Sequence, residues 1–390
     1  IFLPDAIKKS GPALGFILAF LSAIITAYTC YLLVISAKKY KTTSYSELVK
    51  KVLGQKAYIF AAFCNLLLPF LMCVTYGVVS SDNMVLVFQH LSPNSTLFIN
   101  KIFIRFLVLI IIAMPLSLPK HISILEHIST LSIIFVIFYA SVFMYKTPQM
   151  VKTTLALPEF WNFARSGIPQ ALSTLFLAFS AHHNILIFYK TLHRNTIARF
   201  SIVIYVSVGF SAIVYYAVII SGYLSFATTI NGNLISSYCV KDYLIIFTRV
   251  IFSLSIIFTL PLNAISARTI IMELFDGYLE NNRSIRYRVT IIMFACIYAI
   301  SIIPISVTSI VQFVGAVTAS PLVMIFPCLL YFKAIEHPFY KLSLTSVVLW
   351  TLIGLGVTLT LIGGTMAILE AIPIFAQVNV IQYWCEDAVQ

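Results

Sequence analysis

The feature that most constrains this chain is a succession of near-continuous apolar runs, each about as long as the 20 residues a helix needs to cross the hydrocarbon of a bilayer. They lie near 13–36, 57–80, 102–118, 129–145, 170–190, 201–226, 243–266, 289–306, 310–332 and 344–369. In lipid every backbone N–H and C=O must find its partner inside the protein, so each run is expected to span as a helix. Composition agrees: 60% of the 390 residues are hydrophobic and 10% are charged, more apolar surface than a water-soluble chain of this length can hide. The expected fold class is all-α and polytopic, one transmembrane domain over 1–390 seated in a lipid bilayer, with no low-complexity region.

The formal charge of +12 follows topology and forms no nucleic-acid-binding patch. One set of alternate loops holds Lys38, Lys39, Lys41, Lys50, Lys51, Lys56, Lys120, Lys190, Arg194, Arg199, Arg268, Arg283, Arg286, Arg288, Lys333 and Lys341. The other set holds Lys8, Lys9, Lys101, Lys146, Lys152, Arg165 and Lys241. The positive-inside rule places the first set, and the N-terminus, in the cytoplasm.

Cys30, Cys64, Cys73, Cys296 and Cys328 fall within spans as small packing residues, while Cys239 and Cys385 share the outer side and are candidates for a bridge. Asn94-Ser95-Thr96 is a glycosylation sequon on an outer loop; Asn282-Arg283-Ser284 is a second on an inner loop, out of reach of the transferase. The opening IFLPDAIKKSGPALGF lacks the pattern of a signal peptide, and Leu3–Ser10 reads as half of a span. Within TTSYSELVKKVLG, Ser44 and Glu47 have capping-box spacing and Gly54 supplies a stop. Tyr45, Leu48, Val49 and Val52 share one face, which predicts a short amphipathic helix along the cytoplasmic surface. The stretch 275–288 is a polar inner linker, and 147–170 is long enough for a partly helical outer lid.

Polar groups at membrane depth mark functional positions, because burial without partners is costly. LAFSAHHNILIFYKTL, 177–192, puts His182, His183 and Asn184 in mid-span. Adjacent residues lie about 100° apart on a helix, so both histidines can serve one site only if the helix is interrupted around 180–184. The alternative is a single histidine tying two helices together. In SLSIIFTLPLNAISAR, Ser255 and Thr259 share a face and Pro261 removes a main-chain donor. Oxygen-rich geometry of that kind suits a monovalent cation, and the alternative is hydroxyls bonded back to their own helix. Gln312, Gly315, Ser320, Pro321 and Pro327 form a third cluster, either a close packing face or a bent gate. Asn65 and Tyr76 either line a cavity or brace it. Asp5 and Asp82 are either proton carriers or interfacial groups, the latter the simpler reading, and Arg105 and Arg249 lie close enough to span ends to snorkel. No catalytic triad, GxGxxG cradle, paired carboxylates or CxxC is present, which argues against an enzyme.

The stretches LAFSAHHNILIFYKTL, ARFSIVIYVSVGFSAIVYYAVIISGYLSF, NGNLISSYC, FTRVIFSLSIIFTLPLNAISARTII and VGAVTASPLVMIFPCLLYFK resemble the sodium-coupled neutral amino acid transporters of the amino acid/auxin permease superfamily, most of all their eleventh-type branch. LPDAIKKSGPALGF, TSYSELVKKVLG and PLSLPK extend the likeness over almost the whole chain. The resemblance implies a five-plus-five inverted repeat of the LeuT-like amino-acid-permease kind, 1–146 and 170–333, with 344–370 as an eleventh span and the first helix truncated at its start. It implies a small neutral amino acid held by Phe179, Ser180, Ala181 and His182, and Asn65, on the cavity-lining reading above, is added as a further candidate contact. Thr259 is then the cation ligand and Ser255 a weaker one. It implies no cofactor, with Na+ as the coupling ion and H+ the alternative, and a monomer in the plasma membrane or an endolysosomal membrane. A glycine-rich break should lie just before Ile1, and Asp5 stands where the family commonly has an aromatic residue. The expected function is sodium-coupled symport by alternating access; a proton-coupled symporter of the same fold and a non-transporting amino acid sensor are the alternatives.

Overall fold

The computed structural model describes residues 1–119, 123–230, 232–275, 282–334 and 343–372. Helices α1 (Leu3–Ser10), α2 (Pro12–Tyr40), α3 (Tyr45–Leu53) and α4 (Gln55–Leu91) come first. Helix α5 covers 101–117 and widens into π-type turns over Leu107–Ala113. It is followed by α6 (Ser123–Leu155), α7 (Ile168–Phe179), α8 (His182–Thr191) and α9 (Ile197–Phe226). Helices α10 (Tyr243–Phe275), α11 (Arg283–Ile302), α12 (Val307–Ala334) and α13 (Leu344–Ala371) complete the bundle. Among the described residues nine helices are long and apolar enough to cross a membrane. The expected span 102–118 is also helical and slightly shorter than those nine.

Exposed Ile17, Phe20, Ile133, Ile202, Ile213 and Ile292 coat the outside of the bundle, the surface hydrocarbon chains would cover. Inside, small residues bring backbones together. A Cβ on Gly315 of α12 would strike the Ser173 carbonyl of α7, and one on Gly363 of α13 would meet Ser173 Oγ at 2.8 Å. Helices α7, α12 and α13 are thereby locked side by side.

Several local expectations change. Ser44 caps α3 by backbone alone, with no side-chain bond, so the capping box is not made. Helix α3 keeps the expected amphipathic split, with Glu47, Lys50 and Lys51 exposed on its outer side. Tyr45, Leu48, Val49 and Val52 are buried in one cluster with α2, α4, α8 and α12, and α3 plugs the face carrying the basic loops (hereafter the basic face). On the opposite face α6 continues as helix to Leu155, so the expected lid shrinks to a connector with one 3₁₀ turn, Pro158–Trp161. That connector clamps α1: Gly11 comes so close that an added Cβ would lie 2.8 Å from the Phe163 carbonyl oxygen, and the Arg165 and Gly167 amides donate to the Ser10 and Lys9 carbonyls at 3.0 and 3.2 Å.

Neither arginine snorkels. Arg105 bonds Asp82 at 3.1 Å, Ser81 and the Ser301 carbonyl, so Asp82 is held in an ion pair that Lys101 joins at 3.8 Å. Arg249 is fully buried and donates to the carbonyls of Ile235 and Tyr238, pinning the connector between α9 and α10. Asn282 caps α11, its Oδ1 accepting from the Ser284 and Ile285 amides. Cys239 is disulfide-bonded, and its expected partner Cys385 lies outside the described residues.

Candidate substrate cavity at a broken helix

The run 168–191 does not form one helix. Helix α7 stops at Phe179, Ser180 is extended (φ −68°, ψ 108°), and α8 starts at His182. A break inside a bilayer leaves backbone groups in want of partners, and neighbours supply some of them. The Ser180 amide donates to the Leu177 carbonyl, and Tyr215 of α9 donates its hydroxyl to the Ala178 carbonyl at 2.9 Å. The two histidines separate as their 100° spacing requires. His182 is fully buried against α2, its Nε2 3.0 Å from Thr29 Oγ1 and 3.5 Å from Cys30 Sγ. His183 points the other way, into a cavity.

That cavity has a volume of about 380 Å³. Ile1, Phe2 and Leu3 line it at the start of α1, and Thr75 and Tyr76 from α4. Ser132 and Tyr139 come from α6, Thr174 and Ala178 from α7, Ser180 from the break, His183 from α8 and Tyr215 from α9. Helix α10 adds Phe252, Ser255, Thr259 and Asn263, and α12 adds Val311. No carboxylate, lysine or arginine lines the cavity among the described residues. Ser180 Oγ and His183 Nδ1 have no protein partner, though both atoms are buried. Buried polar groups are normally satisfied, so two such atoms on one cavity wall define a place for a polar ligand. The N-termini of α1 and α8 both border the cavity, through Phe2 and Leu3 and through His183, and both carry the positive end of a helix dipole.

The expected site residues divide. Ser180, Ser255 and Thr259 face the cavity. Phe179 is buried against Tyr215, with ring centroids 5.0 Å apart, and supports the wall from behind. Ala181 is not in the lining, and His182 ties α8 to α2. Asn65 lies elsewhere: it donates to Ser46 Oγ at 3.2 Å and holds α3 to α4, away from the cavity. Thr259 Oγ1 donates to the Ser255 and Ile256 carbonyls at 3.1 and 3.0 Å, leaving its lone pairs for a cation. Pro261, within α10, has no N–H to offer the Ile257 carbonyl. Asn94 sits exposed in a turn on the opposite face. His183, one of the two mid-span histidines singled out in the sequence, is the one that lines the cavity, while Thr75, Ser132, Thr174, Tyr139, Tyr215 and Asn263 were missed from sequence as lining residues. The small and aromatic residues among them read like packing until the helices are assembled.

Outside the cavity toward the opposite face sits a polar cluster. Lys9 Nζ donates to Glu370 Oε2 at 2.8 Å, and Gln170 Nε2 donates to Glu370 Oε1 at 3.2 Å. With the Gln312 amide assigned so that its nitrogen faces the carboxylate and its oxygen the ammonium, the nitrogen donates to Glu370 Oε2 at 2.8 Å and the oxygen accepts from Lys9 Nζ at 2.6 Å. Toward the basic face, Tyr45 donates its hydroxyl to the Leu322 carbonyl at 2.9 Å. A cavity at a helix break, with a polar cluster toward one face and the Tyr45–Leu322 bond toward the other, fits a small solute passed between two aqueous compartments.

Comparison with known proteins agrees with this reading. A putative sodium-coupled neutral amino acid transporter 11 from Danio rerio is 28% identical over 337 residues, 85% of this chain and 75% of that protein. The protein of the same description from Homo sapiens is 27% identical over 364 residues, 93% of this chain and 89% of its own length. Vacuolar amino acid transporter 2 of Saccharomyces cerevisiae is 24% identical over 361 residues, 88% and 72% of the two chains. The family model described as transmembrane amino acid transporter protein matches residues 1–369. The chain belongs to that family, and it is an integral membrane amino acid transporter, not an enzyme.

Proposed function

We propose that this protein is a sodium-coupled symporter of small neutral amino acids, working by alternating access with its basic face in the cytoplasm. The observation that carries the reading is the uncharged cavity at the helix break with unpartnered Ser180 Oγ and His183 Nδ1. A zwitterion brings a carboxylate that the N-termini of α1 and α8 favour, by about 0.3–1 kcal/mol each. The walls offer hydroxyls, an amide and aromatic rings, and a substrate with a charged side chain would meet no opposite charge there. Sodium coupling is supported by the description of the relatives and by Thr259, Ser255 and the Ile257 carbonyl that Pro261 leaves undonated. The driving force suffices. A tenfold sodium gradient supplies about 1.4 kcal/mol and a potential of about 70 mV adds about 1.6 kcal/mol per charge. One ion per substrate thus sustains an accumulation on the order of 100-fold. The plasma membrane and an endolysosomal membrane both accommodate Asn94 on the non-cytoplasmic side, and the site needs one chain only.

The test is current evoked by neutral amino acids in sodium and then in choline, at neutral and mildly acidic pH. Current that disappears in choline supports the proposal, and Thr259→Ala is then expected to raise the half-saturating sodium concentration about tenfold, the loss of roughly one ligand bond. Proton coupling is the second reading, favoured by the unpartnered His183 nitrogen in the cavity. Current that survives choline, grows with acid and is abolished by His183→Gln would establish it in place of sodium.

A further inference from the structure

Helix α13 lies outside the two groups of five spans, yet it meets the cavity's surroundings twice. Gly363 seats against Ser173 of α7 and Ala316 of α12, and two turns further on Glu370 reaches Lys9 of α1, Gln170 of α7 and Gln312 of α12. These are the positions directly outside the cavity lining. Gln170 is one turn before the lining residue Thr174, whose hydroxyl donates to the Gln170 carbonyl; Gln312 follows the lining residue Val311; Lys9 shares the eight-residue α1 with Leu3. Glu370 is the second-to-last residue of its helix, where a negative charge opposes the dipole. An acid so placed depends on its partners. Lys9 and Glu370 are each partly buried, at 22% and 37% side-chain exposure, and Gln312 is 1% exposed. One carboxylate therefore ties α1, which carries Lys9, to the packed group of α7, α12 and α13 just outside the cavity.

We propose that Glu370 is the bolt of the opposite-face gate, and that α13 is a working part of the transport cycle through its ion pair with Lys9. With the bolt closed, α1, α7 and α12 converge and the cavity is shut from that side. Opening exchanges the Lys9–Glu370 pair for water on both groups. The proposal rests on the alternating-access reading above, and on neither the coupling ion nor the substrate.

The test measures access without transport. Val311→Cys places a thiol on the cavity wall beside Gln312, and a membrane-impermeant thiol reagent is applied from the opposite face, with the protein lacking that cysteine as background. Adding Glu370→Gln is expected to raise the labelling rate about tenfold, equivalent to about 1.4 kcal/mol of gate equilibrium. Lys9→Gln should do the same, and the double Lys9→Glu/Glu370→Lys should return the rate toward that of the parent. Unchanged labelling in both single variants overturns the proposal, as does a swap that fails to restore while melting temperatures stay equal. Should Glu370→Gln lower the amount folded, the labelling rate per molecule at the membrane, with Gln170→Leu as the second perturbation of the same carboxylate, decides the matter. Loss of amino-acid-evoked current with normal gate behaviour would count against the symport reading and leave the bolt standing.

Discussion

One hydroxyl links α3 to the α12 backbone beneath the basic face, and Tyr45→Phe removes it alone. The reason lies in the α12 backbone. Over Pro321–Ile325 this helix is π-wound, and the Phe326 amide donates to the Pro321 carbonyl five residues back. In that register residue 327 would serve the Leu322 carbonyl, but residue 327 is proline and has no N–H. Tyr45, 3% exposed, fills the vacancy at 2.9 Å. Burial pushes its phenol well above the usual 10.0, so it remains a donor at any working pH and the bond adds no pH dependence. Phenylalanine keeps the packing and leaves a buried carbonyl unsatisfied, a cost of about 1–3 kcal/mol. If the inward-open state lets water reach Leu322, the cost falls on the closed state alone and shifts the equilibrium about tenfold per 1.4 kcal/mol toward opening. Cys64, buried in the same cluster as Tyr45, is the reporter: its modification rate by a thiol reagent applied to the basic face should rise about tenfold in Tyr45→Phe. A melting temperature that falls while Cys64 labelling stays constant would refute the reasoning, because it would mean that the Leu322 carbonyl is equally buried in both states.

Three further outcomes follow from named contacts. Gly315→Ala should cost about 1–3 kcal/mol or more, because its methyl would overlap the Ser173 carbonyl, whereas Gly354→Ala, which meets nothing within 4 Å, should be neutral or stabilising by up to about 1 kcal/mol; thermal melts in detergent separate them. His182→Ala should lower stability by about 2–4 kcal/mol through loss of a fully buried ring and its tie to Thr29. His183→Ala should leave the melting temperature nearly unchanged and weaken substrate binding about tenfold, as expected for one lost hydrogen bond; equal effects of the two substitutions on stability would contradict the separation of their roles. Asn94→Gln should abolish a glycosidase-sensitive gel shift that Asn282→Gln leaves intact, since Asn282 is committed to the α11 cap on the basic face; the reverse pattern would invert the topology.

Much of the membrane architecture was legible because lipid permits so few solutions. A run of about 20 apolar residues in hydrocarbon must satisfy its own backbone, and only a helix does so locally. The stop at Gly54, the shared face of Thr259 and Ser255 and the family likeness were equally local. The break was flagged by polarity at 180–184, but no glycine or proline marks it, and its bonds come from far along the chain: Tyr215 to the Ala178 carbonyl and Thr29 to His182. The same long-range contacts decide which adjacent histidine faces the cavity and which ties two helices. They also send Asn65 to Ser46, seat the apolar face of α3 on the bundle, and gather Lys9, Gln170, Gln312 and Glu370 from four separate helices. Periodicity reports which residues share a face of one helix; only packing reports what that face meets, and it is packing between helices that sets Ser180, His183 and Tyr215 around one cavity.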